Sequence, residues 1–278
     1  MLQSLTQWAP FILALLPKML LVAVFAVGAT VAAERAGPLI GGLIATLPVA
    51  AGPVYFFLAL DHTPQFIAQS AEVSFAALPP VALMVVAYVL LAQRLKTGPA
   101  VGLSLLVWLA GTGGTVLVGS NLAIAICATV VIFGAGVIVV RPYGYVALEA
   151  GNSSIAELLV RAVAVAALVA VVEISAAVAG AEAAGIFAAF PIIFVAMMVI
   201  VQSRHGGPAA ASVMANALPG LVGLPIAFLV VSFTAEPLGN LPALGIGLVI
   251  AVGWNAMLLA AHFLTEKKRP APVGANTD

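Results

Sequence analysis

Charge is what this chain has least of: Lys and Arg number 10, Asp and Glu 10, together 7% of 278 residues. A soluble domain carries about 25% charged residues and needs them to cover its own surface. With 64% of residues hydrophobic, no water-facing fold accommodates the remainder, and lipid is the solvent that does. The single cysteine, Cys127, excludes an intrachain disulfide and a thiolate metal set. Three histidines, His62, His205 and His262, lack ligand spacing, so neither a metal nor another cofactor is expected. A formal net charge of zero argues against nucleic acid as a partner. No G-x-x-x-x-G-K-[ST] run is present, which argues against an ATPase. No buried Ser/His, zinc or paired-acid constellation marks an enzyme, and no catalytic residue is assigned. The opening MLQSLTQWAP lacks the basic stretch of a cleaved signal peptide.

What is there is a series of apolar runs of about twenty residues, unbroken where barrel strands would alternate. They predict an all-α polytopic membrane protein with about nine transmembrane helices, near 11–33, 37–60, 66–93, 99–118, 122–140, 155–179, 183–203, 208–235 and 240–264. Arg35, Arg94, Lys96, Arg141, Arg204 and the tail Lys267-Lys268-Arg269 then fall on one side, whereas Asp61, Glu182 and Glu236 fall on the other. The positive-inside rule makes the basic side cytoplasmic: N-terminus out, C-terminus in, in a bacterial inner membrane.

The chain also aligns with itself. GLIATLP, 42–48, falls on GIFAAFP, 185–191; PAVGLSL, 99–105, falls on PALGIGL, 242–248; His62 falls on His205 and Lys18 on Arg161, all at an offset of 143. Paired Gly, Pro, His and basic positions at one offset predict a duplication. Residues 10–118 form a first four-helix repeat. A linking transmembrane helix and cytoplasmic loop occupy 119–152, a second four-helix repeat 153–261, and a cytoplasmic tail 262–278. One span between two even-numbered units turns the second over, a 4+1+4 inverted repeat of the kind secondary transporters use.

Prolines recur inside the expected spans: Pro48 and Pro191 in the second and seventh, Pro79 and Pro80 in the third, Pro219 and Pro225 in the eighth. Each removes an amide donor and frees carbonyls, and matched interruptions in two halves point to a midplane binding site. The simpler outcome is an ordinary kink. Lys18, Glu72, Arg161 and Glu173 carry charge well inside spans, where insertion costs about 2.5–3.5 kcal/mol each. Lys18, Glu72 and Glu173 lie roughly 9–11 Å below the outer surface and Arg161 at a similar depth from the inner one. The first three are expected to converge in an outer-half cavity where two acids and one base titrate as a set. Arg161 is expected to snorkel and to pair with Glu157 one turn away. Asn216 sits at inner-half depth, as a gate contact or an interhelical hydrogen bond. Asn255 takes the second of those roles, and Trp108 and Trp254 suggest packing.

The stretch from Gly185 through Phe190-Pro191 to Gln202-Ser203-Arg204-His205, followed by a kinked span, resembles the GlpM-like family of small bacterial membrane proteins. The resemblance implies a fused, inverted pair of four-span units and a link to exopolysaccharide production, and brings no site residues with it. The expected function is a secondary transporter of a small solute, with an anionic solute and proton coupling as its finer form. The alternative is a non-transporting membrane component of envelope polysaccharide or lipid assembly. Partners are then membrane lipids, a small-molecule solute and H+; a homodimer is compatible with either reading.

Overall fold

The computed structural model describes residues 13–25, 27–28, 31, 46–48, 51–119, 121–146 and 154–267. Arg35, the first part of the span expected over 37–60, the loop leading to 153 and the tail 268–278 lie outside the described residues. Among the described residues there is no strand. The helices are α1 (Leu13–Phe25), α2 (Ala51–Asp61), α3 (Pro64–Leu91), α4 (Thr97–Val118), α5 (Leu122–Val140), α6 (Ile155–Ala188), α7 (Ile192–His205), α8 (Gly207–Leu221), α9 (Gly223–Leu238) and α10 (Asn240–Lys267). Six stretches among these residues are long and apolar enough to cross a bilayer: 64–91, 97–117, 122–143, 155–205, 207–238 and 240–264. The chain is an all-α, multi-pass membrane protein.

Local chemistry sets the helix ends. Thr63 caps α3, accepting from Phe66 N at 3.3 Å, with Pro64 in the first turn where its missing amide costs nothing. Asn121 caps α5 from Ile124 N at 3.2 Å. Ser154 and Glu157 close a reciprocal capping box on α6. Four glycines with φ between 74° and 86° turn the chain: Gly119, Gly180, Gly206 and Gly239. Their ψ values, −177°, −163°, 171° and 164°, cluster near 180°, a region open essentially to glycine alone. Gly180 therefore repeats, inside α6, the corner that joins α7 to α8 and α9 to α10. A straight α6 of 34 residues would measure about 51 Å, well beyond a bilayer core of about 30 Å.

The core centres on α3, which packs against α4, α5, α6, α8 and α9. Its contact with α6 is a polar seam. Ser70 Oγ donates to Ala181 O at 3.1 Å and Ser74 Oγ to Gly185 O at 2.7 Å, and Tyr55 OH sits 2.7 Å from Ser74 Oγ. Because the Ser74 proton is given to a carbonyl, Tyr55 is the donor of that pair. Backbones approach closely here: a Cβ on Gly185 would lie 2.5 Å from Ser70 O, and one on Gly207 1.7 Å from Ala92 O. Small residues at such crossings are how helices associate in lipid. At the far end of α3, Tyr88 OH donates to Gln202 Oε1 (2.8 Å), whose Nε2 donates to Leu95 O (2.8 Å).

The prolines behave unequally. α3 runs unbroken through Pro79 and Pro80, both buried; neighbouring helices surround this stretch, and Gly111 of α4 lies close enough that a Cβ there would sit 3.0 Å from Pro80 Cβ. The expectation of a break at that pair is corrected accordingly. In contrast, α8 and α9 part at Val222, because Pro225 can neither donate to Leu221 O nor clear it. Pro191 separates α6 from α7, its φ of −81° and ψ of 52° with Ile192 N bonded to Phe190 O at 2.8 Å describing an inverse γ-turn. Thr46, Leu47 and Pro48 form a turn and bend, and Gly52 N returns to Pro48 O at 2.7 Å as α2 begins.

Candidate functional site

Lys18 of α1 stands between two carboxylates. Its Nζ lies 3.0 Å from both oxygens of Glu173 on α6 and forms a second ion pair with Asp61 at the end of α2. Glu173 is 4% exposed, Lys18 14% and Asp61 52%, so the cluster runs from the core to the surface. The Phe57 ring lies 5.6 Å from the ammonium, a distance at which the π face adds to its stabilisation. Asn240 fixes the other side of Asp61: its Nδ2 donates to Ala59 O (2.8 Å) and His62 O (2.9 Å), carbonyls that the end of α2 leaves without helical partners. The cluster sets one cation against two acids.

The expected convergence is met in part. Lys18 and Glu173 come together; Glu72 is partly exposed on α3 and has no ion pair among the described residues. Asp61 takes the place foreseen for it. The signal was available, since Asp61 and Arg204 stand 143 apart just as Lys18 and Arg161 do, but its place in a connector concealed it.

A second set of polar contacts gathers where helices break. Thr46, 1% exposed, donates to Asn255 Oδ1 of α10 at 2.8 Å. The Asn255 amide is 3.4 Å from Gly220 O and 3.0 Å from Ala251 O, and Trp254 Nε1 donates to Pro219 O at 2.8 Å. Carbonyls released at the α8–α9 joint are thus taken by neighbours on α10, as buried backbone in lipid requires. Trp254 is more than packing. Across the molecule, Trp108 of α4 meets Phe190 edge-on at 4.9 Å, beside the Pro191 break.

At the other end, Glu157 pairs with Arg204 of α7, a partner the sequence reading does not name. Arg161 is 8% exposed and lines a small cavity with Ile192, Ile193, Ala196 and Met197, the first turns of α7. It is held in the interior, not extended to a surface. Asn216 Nδ2 donates to Gly144 O and Ser212 O, each at 3.0 Å, and Ser212 Oγ to Val146 O at 3.2 Å. Both residues clamp the 141–146 turn onto α8, an interhelical role.

An apolar groove of about 740 Å³ lies between α1, α2, α9 and α10, bounded by Phe25, Leu47, Phe56, Leu224, Phe228 and Leu248. Among the described residues no group of three or more His, Cys, Asp or Glu side chains is placed to hold a metal ion. No family model, no curated protein and no solved structure matches this chain.

Proposed function

We propose that the chain is a secondary transporter of the bacterial inner membrane that moves a small solute by alternating access between two inverted four-helix units, coupled to protons. The observation that carries this reading is the Lys18–Asp61–Glu173 cluster, buried at Glu173 and open at Asp61, which ties α1 and α2 to α6. A different ion pair, Glu157–Arg204, ties α6 to α7 at positions the topology reading assigns to the other end. The two clusters occupy related places. Lys18 and Asp61 stand 143 positions before Arg161 and Arg204.

The same offset runs through the architecture and supports the repeat. Helices begin at Pro64 and Gly207, and at Thr97 and Asn240; chain breaks occur at Pro48 and Pro191. A contact repeats as well. Pro80 packs on Gly111, and Gly223, 143 beyond Pro80, packs on Trp254, 143 beyond Gly111, with a Cβ at Gly223 only 2.9 Å from Trp254 Cβ. Large and small have changed places within one conserved approach. With α5 between them the two units face opposite ways, and a nine-span count keeps every loop lysine and arginine on one side. Two equivalent broken-helix units give two packings of similar energy, one open to each side.

Within this scheme the outer cluster carries the proton and the inner pair closes the opposite side. Vesicles containing purified protein and a trapped pH dye, challenged with a panel of carboxylates, phosphate, sugars and amino acids, test it. At least one solute should drive proton movement in wild type and not in Glu173→Gln; equal responses in the two would remove the coupling role. Reporter fusions at Lys96 and Arg141 on the same side, and opposite to Gly239, are the matching topology result. The apolar groove favours a second reading, a membrane component of envelope polysaccharide or lipid assembly, which predicts no solute flux in the same vesicles.

A further inference from the structure

The apolar groove has a differently filled counterpart at the 143-residue offset. Leu47, Ala51 and Ala251 line the groove, and the positions 143 away from them are Phe190, Phe194 and Trp108. Phe194 and Trp108 are buried, and the Trp108 and Phe190 rings meet edge-on at 4.9 Å. Leu21 and Pro53 also line the groove; their counterparts, Ala164 and Ala196, line a cavity of about 20 Å³ where the groove holds about 740 Å³. Aromatic side chains each cover about 150–250 Å², so the second unit packs this place with its own residues. The first unit keeps it open with smaller ones. Because protein interiors are close-packed, such room in one unit alone points to an occupant.

The walls and the length say what it is. The floor is made by Tyr55 and Phe228, both buried, with ring centroids 5.1 Å apart. Tyr55 turns its hydroxyl away to Ser74 Oγ at 2.7 Å, so the floor offers hydrocarbon only. Phe25, Phe56, Leu241 and Leu248 form an exposed rim, and the groove is continuous with the lipid-facing surface. Along α10 it runs from Leu241 to Val252, about 16 Å of helix. One leaflet of a bilayer core is about 15 Å deep. At one end, Leu241 follows Asn240, which holds Ala59 O and His62 O on either side of Asp61. Leu21 lies one turn from Lys18 on α1, on the same face. At the other end, Ala251 O accepts from Asn255, beside the Thr46 contact and the helix breaks. The groove thus reaches from a polar helix end to mid-membrane. Asp61, 52% exposed, is the open acid of a cluster with two acids and one base, and its charge is complementary to a cationic group.

We propose that the groove is a phospholipid site: it takes one acyl chain from the leaflet on the Asp61 side, with an ammonium-bearing headgroup of the ethanolamine type against Asp61. An acyl chain gains no hydrophobic energy by leaving other lipid for an apolar wall. Close packing along the groove and the headgroup contact therefore supply the preference. The groove lies between α1 and α2 of the first unit and α9 and α10 of the second, so the chain bridges both. The inference draws on the 143-residue correspondence and not on transport, and it stands whether or not a solute moves.

The test is native mass spectrometry of the full chain in detergent, given equal phosphatidylethanolamine, phosphatidylglycerol and phosphatidylcholine with identical acyl chains. Wild type should retain a single phosphatidylethanolamine in preference to phosphatidylglycerol. Gly245 lines the groove, and a Cβ there meets nothing within 4 Å, so Gly245→Leu fills the room without a clash. Ala51→Phe gives the groove the residue its counterpart carries at 194. Each should weaken retention about tenfold or more at an unchanged Tm, and either alone suffices if the other does not fold. Gly102→Leu, 143 positions before Gly245 and equally open, should retain lipid as wild type does. Asp61→Asn should abolish the preference between the two headgroups. The assignment is overturned if wild type retains no phospholipid, whether as a monomer or as a dimer whose second copy covers the groove. Preference for phosphatidylglycerol, full retention by folded Gly245→Leu and Ala51→Phe, or equal loss in Gly102→Leu would overturn it too.

Discussion

Lys18 and Glu173, separated by 155 positions in the chain, meet with the ammonium 3.0 Å from each carboxylate oxygen. The pair joins the first helix to the sixth, with Glu173 4% exposed and Lys18 held also by the half-exposed Asp61. Removing Lys18 leaves the Glu173 carboxylate buried and uncompensated, at about 3–5 kcal/mol. Lys18→Met should therefore unfold well below wild type in detergent. Lys18→Met combined with Glu173→Leu should recover most of that loss while flux stays absent, which differential scanning fluorimetry and the vesicle assay together report. Recovery of flux in the double variant would contradict a proton-carrying role.

The seam between α3 and α6–α8 depends on missing side chains. Gly185→Ala and Gly207→Ala put a methyl group against Ser70 O and Ala92 O. Over-packing of this kind costs about 1–3 kcal/mol where the backbone can give, and the 1.7 Å approach at Gly207 puts that position at or above the upper end. Gly28→Ala and Gly253→Ala, where an added Cβ meets nothing within 4 Å, are the controls. Melting temperatures in one detergent check the order Gly207 below Gly185 below the controls.

At the α8–α9 joint, Trp254 and Asn255 take the carbonyls of Pro219 and Gly220. Asn255→Leu removes the bonds to Gly220 O and Thr46 Oγ1 together, whereas Trp254→Phe removes one bond to a Pro219 carbonyl that Val222 N also reaches at 3.3 Å. Each lost bond costs about 0.5–1.5 kcal/mol, so Asn255→Leu should lower stability more than Trp254→Phe. Denaturation of the two variants side by side measures the difference.

The Glu157–Arg204 pair is partly solvent-accessible, with side chains 24% and 30% exposed. Pairs of that kind contribute about 0–1 kcal/mol. Arg204→Gln should leave Tm almost unchanged and yet raise access to the interior from the cytoplasmic side, a separation of stability from gating that proteolysis of inverted vesicles can register.

Much of this architecture was legible beforehand because lipid imposes it. Apolar runs and the scarcity of charge leave only helices, and Pro191 and Gly180 cut the 155–205 stretch where a proline and a left-handed glycine must. Pro79-Pro80 misled because a fully surrounded helix absorbs prolines that would part a less supported one. At the site, Lys18 and Glu173 announced themselves by depth. Asp61 did not, lying at a helix end where charge is unremarkable, and Glu72 shares the depth but not the cluster. Depth gives one coordinate of three; which helices are neighbours is set by glycine contacts and hydrogen bonds between distant segments.

Alternating access itself is tested most directly by thiol labelling from each side of the membrane. In a Cys127→Ser background, single cysteines at Val169 and Val165, buried on α6 between Glu173 and Arg161, report on the two pathways. Weakening the outer cluster with Glu173→Gln should expose Val169→Cys to an impermeant maleimide added outside. Weakening the inner pair with Arg204→Gln should expose Val165→Cys from the cytoplasmic side, and neither variant should label from both sides. Labelling of both cysteines from either side, or of neither in any variant, would contradict the account.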